Sequence, residues 1–199
     1  MNPRSFRKGF LMRKTLSLCL LVLSTSMSAF ANDAPWLTEA RQVASSVPPK
    51  LLQVLSEQIA KGGPESAIAV CQEKAPQMAK AASEQTGWAI RRVSLRNRNP
   101  KAVPDAWEQA ALQDFDRRAA AGESPATLEK WDVVTSDARK EYRYMKALPV
   151  QPLCMACHGP ADKLSPAVTA QLKTRYPQDL GTGYAVGQIR GAMTIRKPQ

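Results

Sequence analysis

Near the end of the chain, Cys154-Met155-Ala156-Cys157-His158 runs into Gly159-Pro160 and holds two of the four cysteines and the only histidine. This stretch restricts the chain more than any other, because C-x-x-C-H is the spacing of covalent c-type haem attachment. Two thiols a turn apart add to the two vinyl groups of one porphyrin, and the adjoining imidazole lands over the iron as proximal ligand. The competing chemistries fit less well. A thioredoxin-like disulfide wants its pair at the start of a helix, which Gly159-Pro160 would interrupt early. A zinc site wants further ligands, and no second histidine or second C-x-x-C exists. One covalent haem c, held by Cys154 and Cys157 with His158 on the iron, is the cofactor this spacing implies.

The other end of the chain addresses it to an oxidising compartment. Arg4, Arg7, Lys8, Arg13 and Lys14 form a basic segment without acids, Leu16 to Leu23 is a short apolar run, and Ala29-Phe30-Ala31 is an A-x-A cleavage site. The apolar run is far shorter than the roughly 20 residues a bilayer needs, so cleavage after Ala31 is expected rather than anchoring. The expected product is periplasmic and soluble, a single domain over residues 32–199. Removing residues 1–31 from 199 leaves 168, and the five basic residues lost take the formal net charge from +11 to +6. A moderately basic surface suits an acidic protein partner or an anionic membrane, and nucleic acid is not expected for an exported protein. Cys19 leaves with the leader. Cys71, Cys154 and Cys157 remain, and haem would use two of them, leaving Cys71 unpaired where free thiols are usually oxidised.

Read in order, residues 32–47 form a lead-in with a short helix around Trp36 to Val43. Pro48-Pro49 starts a helix with Leu51, Leu52, Leu55 and Ile59 at helical spacing, stopped by Gly62-Gly63. Pro64 opens a second helix to about Ser83, with Ala67, Ile68, Cys71, Ala75, Met78 and Ala82 on one stripe and Pro76 expected to bend it. The two form a hairpin. Trp88 to Leu95 reads as a strand, Asp105 opens a third helix with Trp107, Ala110, Ala111 and Phe115 on one side, and residues 127–148 read as a β-hairpin turning at Ser136-Asp137. Ser165 caps a short helix, and Gln188 to Arg196 alternates like a final strand. The fold class is α+β: an antiparallel sheet with an N-terminal helical hairpin packed on it.

With no second histidine, the far side of the iron falls to Cys71, to a methionine (Met78, Met145, Met155, Met193), to water or to nothing. Met155 is poorly placed between the thioether cysteines, and Met78, on the same face as Cys71, is the chief competitor. Thiolate would lower the reduction potential and methionine would raise it. Arg92, Arg96 and Arg98 lie in a basic, turn-rich segment and are candidates for contacts to the haem propionates. Trp107, Tyr142 and Tyr144 are candidates to line the pocket.

Several blocks resemble a family of small exported c-type haem proteins with a PAS-like fold, whose members also occur as sensor modules of signalling receptors. They are Ala67 to Cys71 with Ala75-Pro76, Arg92 to Pro100, Pro104 to Glu108, Tyr142 to Met145, Cys154 to Gly159, and Gly187 to Ile195. The resemblance covers nearly the whole mature chain. It implies a PAS-like sheet and iron ligated by the motif histidine, His158, and by a cysteine on an N-terminal helix, Cys71.

Function then divides three ways. A redox- or gas-responsive sensor would use a displaceable Cys71 and, with residues 32–199 expected to be a single haem domain, need a separate signalling partner. A small electron carrier would dock an acidic redox partner. An enzyme such as a peroxidase would want a distal acid or base, and no histidine is left to supply one. The sensor is expected, the carrier is the alternative, and no enzymatic activity is expected.

Overall fold

The structure, a computed structural model, describes residues 33–136 and 139–199. The leader, residues 1–31, and Asp137 of the expected turn lie outside the described residues. The elements are α1 (Pro35–Thr86), β1 (Ala89–Val93), α2 (Ala106–Ala120), β2 (Glu129–Ser136), β3 (Arg139–Pro149), α3 (Met155–His158), α4 (Pro166–Arg175) and β4 (Ile189–Pro198).

Helix α1 is two arms joined at Gly62–Gly63, where the backbone leaves helical geometry and Gly63 takes φ 75°. That left-handed conformation suits a residue without Cβ. The Ser66 hydroxyl donates to the Gly63 carbonyl at 2.7 Å and ties the joint. Both arms feed one core cluster, Leu37, Ala40, Val43, Ala44 and Val47 from the first and Met78, Ala79 and Ala82 from the second, so they form a helical hairpin. The first arm starts earlier than the prolines suggest: it begins at Pro35 and continues through Pro48-Pro49. Two prolines remove two backbone donors, but Leu37, Ala40, Val43, Ala44, Val47 and Leu51 keep one buried face across them. Burial of that face outweighs the lost hydrogen bonds. At Pro76, too, the backbone stays helical.

The four strands pair antiparallel in the order β1-β4-β3-β2. Strand β4 is buried from Ile189 to Ile195, as a central strand with both faces covered must be. The α1 hairpin covers one face over Trp88, Ile90, Tyr144, Met193 and Ile195. Helix α2 covers the other, packing Ala111, Leu112 and Phe115 against Val93, Met145, Ala147 and Ala192. The fold is thus α+β, an antiparallel sheet with the N-terminal helical hairpin against it.

A buried carboxylate locks α2 in place. Asp105 accepts from the Glu108 amide and Glu108 accepts from the Asp105 amide, both at 2.9 Å, which is a capping box. The same Glu108 is 1 % exposed, pairs with Arg91, and accepts from the Thr194 hydroxyl at 2.9 Å. With its lone pairs filled, the charge is tolerated inside. Helix α4 docks separately on the second arm of α1: Ile68, Val168, Leu172 and Tyr176 form a cluster that Cys157 and Leu164 join. Full burial of a side chain such as Ile68 is worth about 1.5–3 kcal/mol.

Glu129 joins α1 to the sheet, accepting from Arg41 Nη2 and the Tyr144 hydroxyl at 2.7 Å each. Burial pushes its carboxyl up, but the hydrogen bonds from Arg41 and Tyr144 outweigh burial and hold it below 4.5. A carboxyl depressed in the folded state contributes stability above its unfolded pKa and loses it as pH falls through the folded one. Urea unfolding midpoints should therefore drop between about pH 5 and about pH 3, and Glu129→Gln should flatten part of that slope.

Candidate functional site

A cleft opens between the α1 hairpin and the end of the sheet where β3 runs out into the Cys154–His158 turn. The first arm lines it with Val47, Leu51, Leu52, Leu55 and Ile59; Leu148, Leu153 and Met193 complete the apolar walls. From the second arm come Ala67, Cys71, Ala75 and Ala79, four residues apart and therefore stacked on one face. These small side chains leave room in front of the helix. Cys154, Cys157 and His158 face the same space, and Cys71, Cys154 and Cys157 are free thiols.

The motif is held from both sides. Cys154 N–H donates to the Gln151 carbonyl at 2.9 Å, starting the short turn that becomes α3. Gly159 closes it, because a Cβ there would lie 2.6 Å from the Met155 carbonyl oxygen. Beyond it, Gly183 N–H donates to Gly159 O at 2.7 Å and Tyr184 N–H to His158 O at 2.9 Å. The Gly-rich loop before β4 is thus laced along the motif.

That loop also orients the histidine. His158 Nδ1 lies 2.6 Å from the Gly181 carbonyl. A carbonyl can only accept, so Nδ1 carries the proton and Nε2 keeps its lone pair. A ring N–H on a backbone carbonyl is the usual support of a metal-ligating histidine. Arg190 Nε lies 3.1 Å from the same Nδ1, but a protonated nitrogen cannot accept, so that contact is not a hydrogen bond. Burial, then the cations of Arg190 and Arg98, hold the imidazole well below 6.5 and hence neutral. Burial likewise pushes Cys157 up to about 11. It raises Cys71 too, with Arg92, Arg98 and Arg190 pulling the other way.

The arginines separate by role. Arg98, 7 % exposed, pairs with Asp179 through Nε at 2.9 Å and donates from Nη2 to Cys157 O at 2.5 Å. Asp179 in turn accepts from Gly181 N–H at 2.7 Å, so this pair sets the loop that holds His158. Arg92 is exposed at the cleft and has no polar partner among the described residues. Arg190, 8 % exposed, donates to Ser94 Oγ at 2.9 Å and Arg96 O at 3.1 Å, with no carboxylate partner among the described residues. Burial pushes it down to about 10. Arg96 lies elsewhere: it bonds Thr182 O and stacks 4.2 Å over the Tyr184 ring.

Of the other candidates, Met78 packs into the core with Trp88 and Tyr144 instead of facing the cleft, and Met145 is fully buried on the α2 side. Met193 is the methionine that lines the cleft. Tyr144 gives its hydroxyl to Glu129, Tyr142 stacks on Trp36 at 4.6 Å, and Trp107 lies under Arg143. None of these three aromatics lines the cleft. Sequence reasoning did not single out Arg190, Asp179 or Gly181 as site residues. Their one local signal is a charged residue and glycines where an alternating strand and its lead-in need neither.

The residues present suit a haem: two thiols and a neutral, correctly tautomeric imidazole on one turn, a third thiol across an apolar slot, and beside it Arg92 and Arg190, without anionic partners among the described residues. The model of the Tll0287-like family matches residues 22–198. Among solved structures, the chain is similar to the crystal structure of the cyanobacterial heme-protein Tll0287. The two share 26% identity with a TM-score of 0.59 over 82% of this chain and 92% of that one. No curated protein matches the sequence.

Proposed function

The chain belongs to the Tll0287-like family, and from that premise we propose that it is an exported, periplasmic c-type haem protein acting as a redox- or gas-responsive signalling module. What carries the reading is the convergence of Cys71, Cys154, Cys157 and His158 on one apolar cleft, although more than 80 residues separate Cys71 from the motif. Cys154 and Cys157 would hold one haem through thioethers, with His158 Nε2 and Cys71 Sγ as its axial ligands. Arg92 and Arg190 would meet the propionates, because neither has a carboxylate partner among the described residues. Haem iron supplies one-electron redox chemistry and a binding position for diatomic gases. Cys71 sits on the arm that α4 clamps through Ile68, so a change in what its sulfur holds would bear on that packing. A separate periplasmic partner would read it, and the role is not enzymatic.

An electron carrier is the second reading, and the shape of the cleft favours it. The cleft is partly open to solvent. A flat ring would keep one edge toward solvent, within reach of a redox partner.

Cys71→Ala tests the ligand set. The haem should stay attached while the ferric absorption and EPR spectra change; spectra identical to wild type would remove Cys71 from the iron. Binding of NO or CO without productive turnover by a periplasmic electron donor would favour the sensor, and rapid full reduction by that donor the carrier.

A further inference from the structure

On the α2 side of the sheet lies a second cavity, half open and about 480 Å³ in volume, within the range of small-molecule sites. Its floor is Leu112 and Ile189, and its rim includes Leu95 and Val186, which are 37% and 56% exposed. Two charged groups stand in this apolar lining, Arg96 and Asp116. Arg96 spends one nitrogen on the Thr182 carbonyl and holds its guanidinium carbon 4.2 Å over the Tyr184 ring. It has no carboxylate partner among the described residues. Asp116 makes no hydrogen bond or ion pair among the described residues, whereas Asp114 on the same helix is taken by both Arg117 and Arg118. The cation and the anion are also not within ion-pair distance of each other, so the cavity presents them separately among apolar side chains.

We propose that this cavity binds a small zwitterion with an apolar body, an amino acid of the phenylalanine or leucine type, with its carboxylate on Arg96 and its ammonium on Asp116. The opposite charges call for a ligand carrying both, and the Leu112, Ile189 and Val186 surface calls for an uncharged side chain. Neither charged residue takes part in the haem cleft, so the site stands or falls independently of that reading.

Isothermal titration calorimetry of the whole exported protein with L-phenylalanine, 3-phenylpropanoate and 2-phenylethylamine separates the contributions. Phenylalanine should bind about 10-fold or more tightly than either analogue, since each lacks one charge-assisted contact. Arg96→Gln should weaken phenylalanine by about 10- to 100-fold and leave phenylethylamine nearly unchanged; Asp116→Asn should do the same while sparing phenylpropanoate. Both residues are exposed, so neither change threatens folding. Absence of phenylalanine binding, equal affinity for all three ligands, or unchanged phenylalanine binding in both variants would overturn the proposal.

Discussion

Arg98→Met is expected to destabilise the protein by about 3–5 kcal/mol, the usual cost of stranding one member of a buried ion pair. Asp179, 10 % exposed, would lose the guanidinium that lies 2.9 Å away. The Cys157 carbonyl would lose a donor at the same time. For a domain of this size that corresponds to a fall of about 6–20 °C in the melting temperature. The effect should reach the site, because Asp179 positions Gly181, whose carbonyl fixes the His158 tautomer. Removing the charge on both sides, as Arg98→Met with Asp179→Leu, should recover much of the stability, since an apolar pair of similar size often replaces a buried salt bridge at little cost. If the single variant melts like wild type, the pair is not what holds the loop.

Gly191→Ala should cost about 2–4 kcal/mol, combining backbone strain with overpacking. A Cβ at this position would sit 2.3 Å from the Val93 carbonyl oxygen, and that oxygen belongs to the backbone of the neighbouring strand, which cannot rotate away. Gly191 lies in the buried centre of β4, opposite Leu148 at the bulge. Gly122 supplies the control. Its φ is 93°, yet nothing lies within 4 Å of the added methyl, so Gly122→Ala should cost only the strain, about 1–3 kcal/mol. Denaturant titrations giving equal losses for the two variants would show that the close approach of β1 to β4 is not what demands glycine.

How much of this could be read from residue order depends on whether the signal is local. The Gly62-Gly63-Pro64 joint, the Asp105–Glu108 box and the Ser165 cap are local devices, and each appears where its residues stand. The strands of the final hairpin and β4 followed from alternation in the same way. The prolines at 48 and 49 misled because their local cost is real; a buried face running through them, fixed by distant partners such as Trp88 and Tyr144, decides the matter. Similarly, Met78 and Cys71 share a helix and nearly a face, and only the packing of both arms sends Met78 to the core and Cys71 to the cleft. The motif and Cys71 stand out by residue type, and the structure brings them to one cleft. Arg190 and Gly181 act through hydrogen bonds spanning 96 and 23 residues, and nothing in their own neighbourhoods announces those partners.

In the proposed site, three sulfurs and one imidazole in a single cleft hold one covalent haem. Intact mass spectrometry of the exported protein, after denaturation and organic extraction, tests it most directly. The expected mass is that of the processed chain plus one haem, with a haem c absorption spectrum and one thiol, Cys71, left to alkylate. A mass equal to the bare chain, with all three of Cys71, Cys154 and Cys157 open to alkylation, would contradict it.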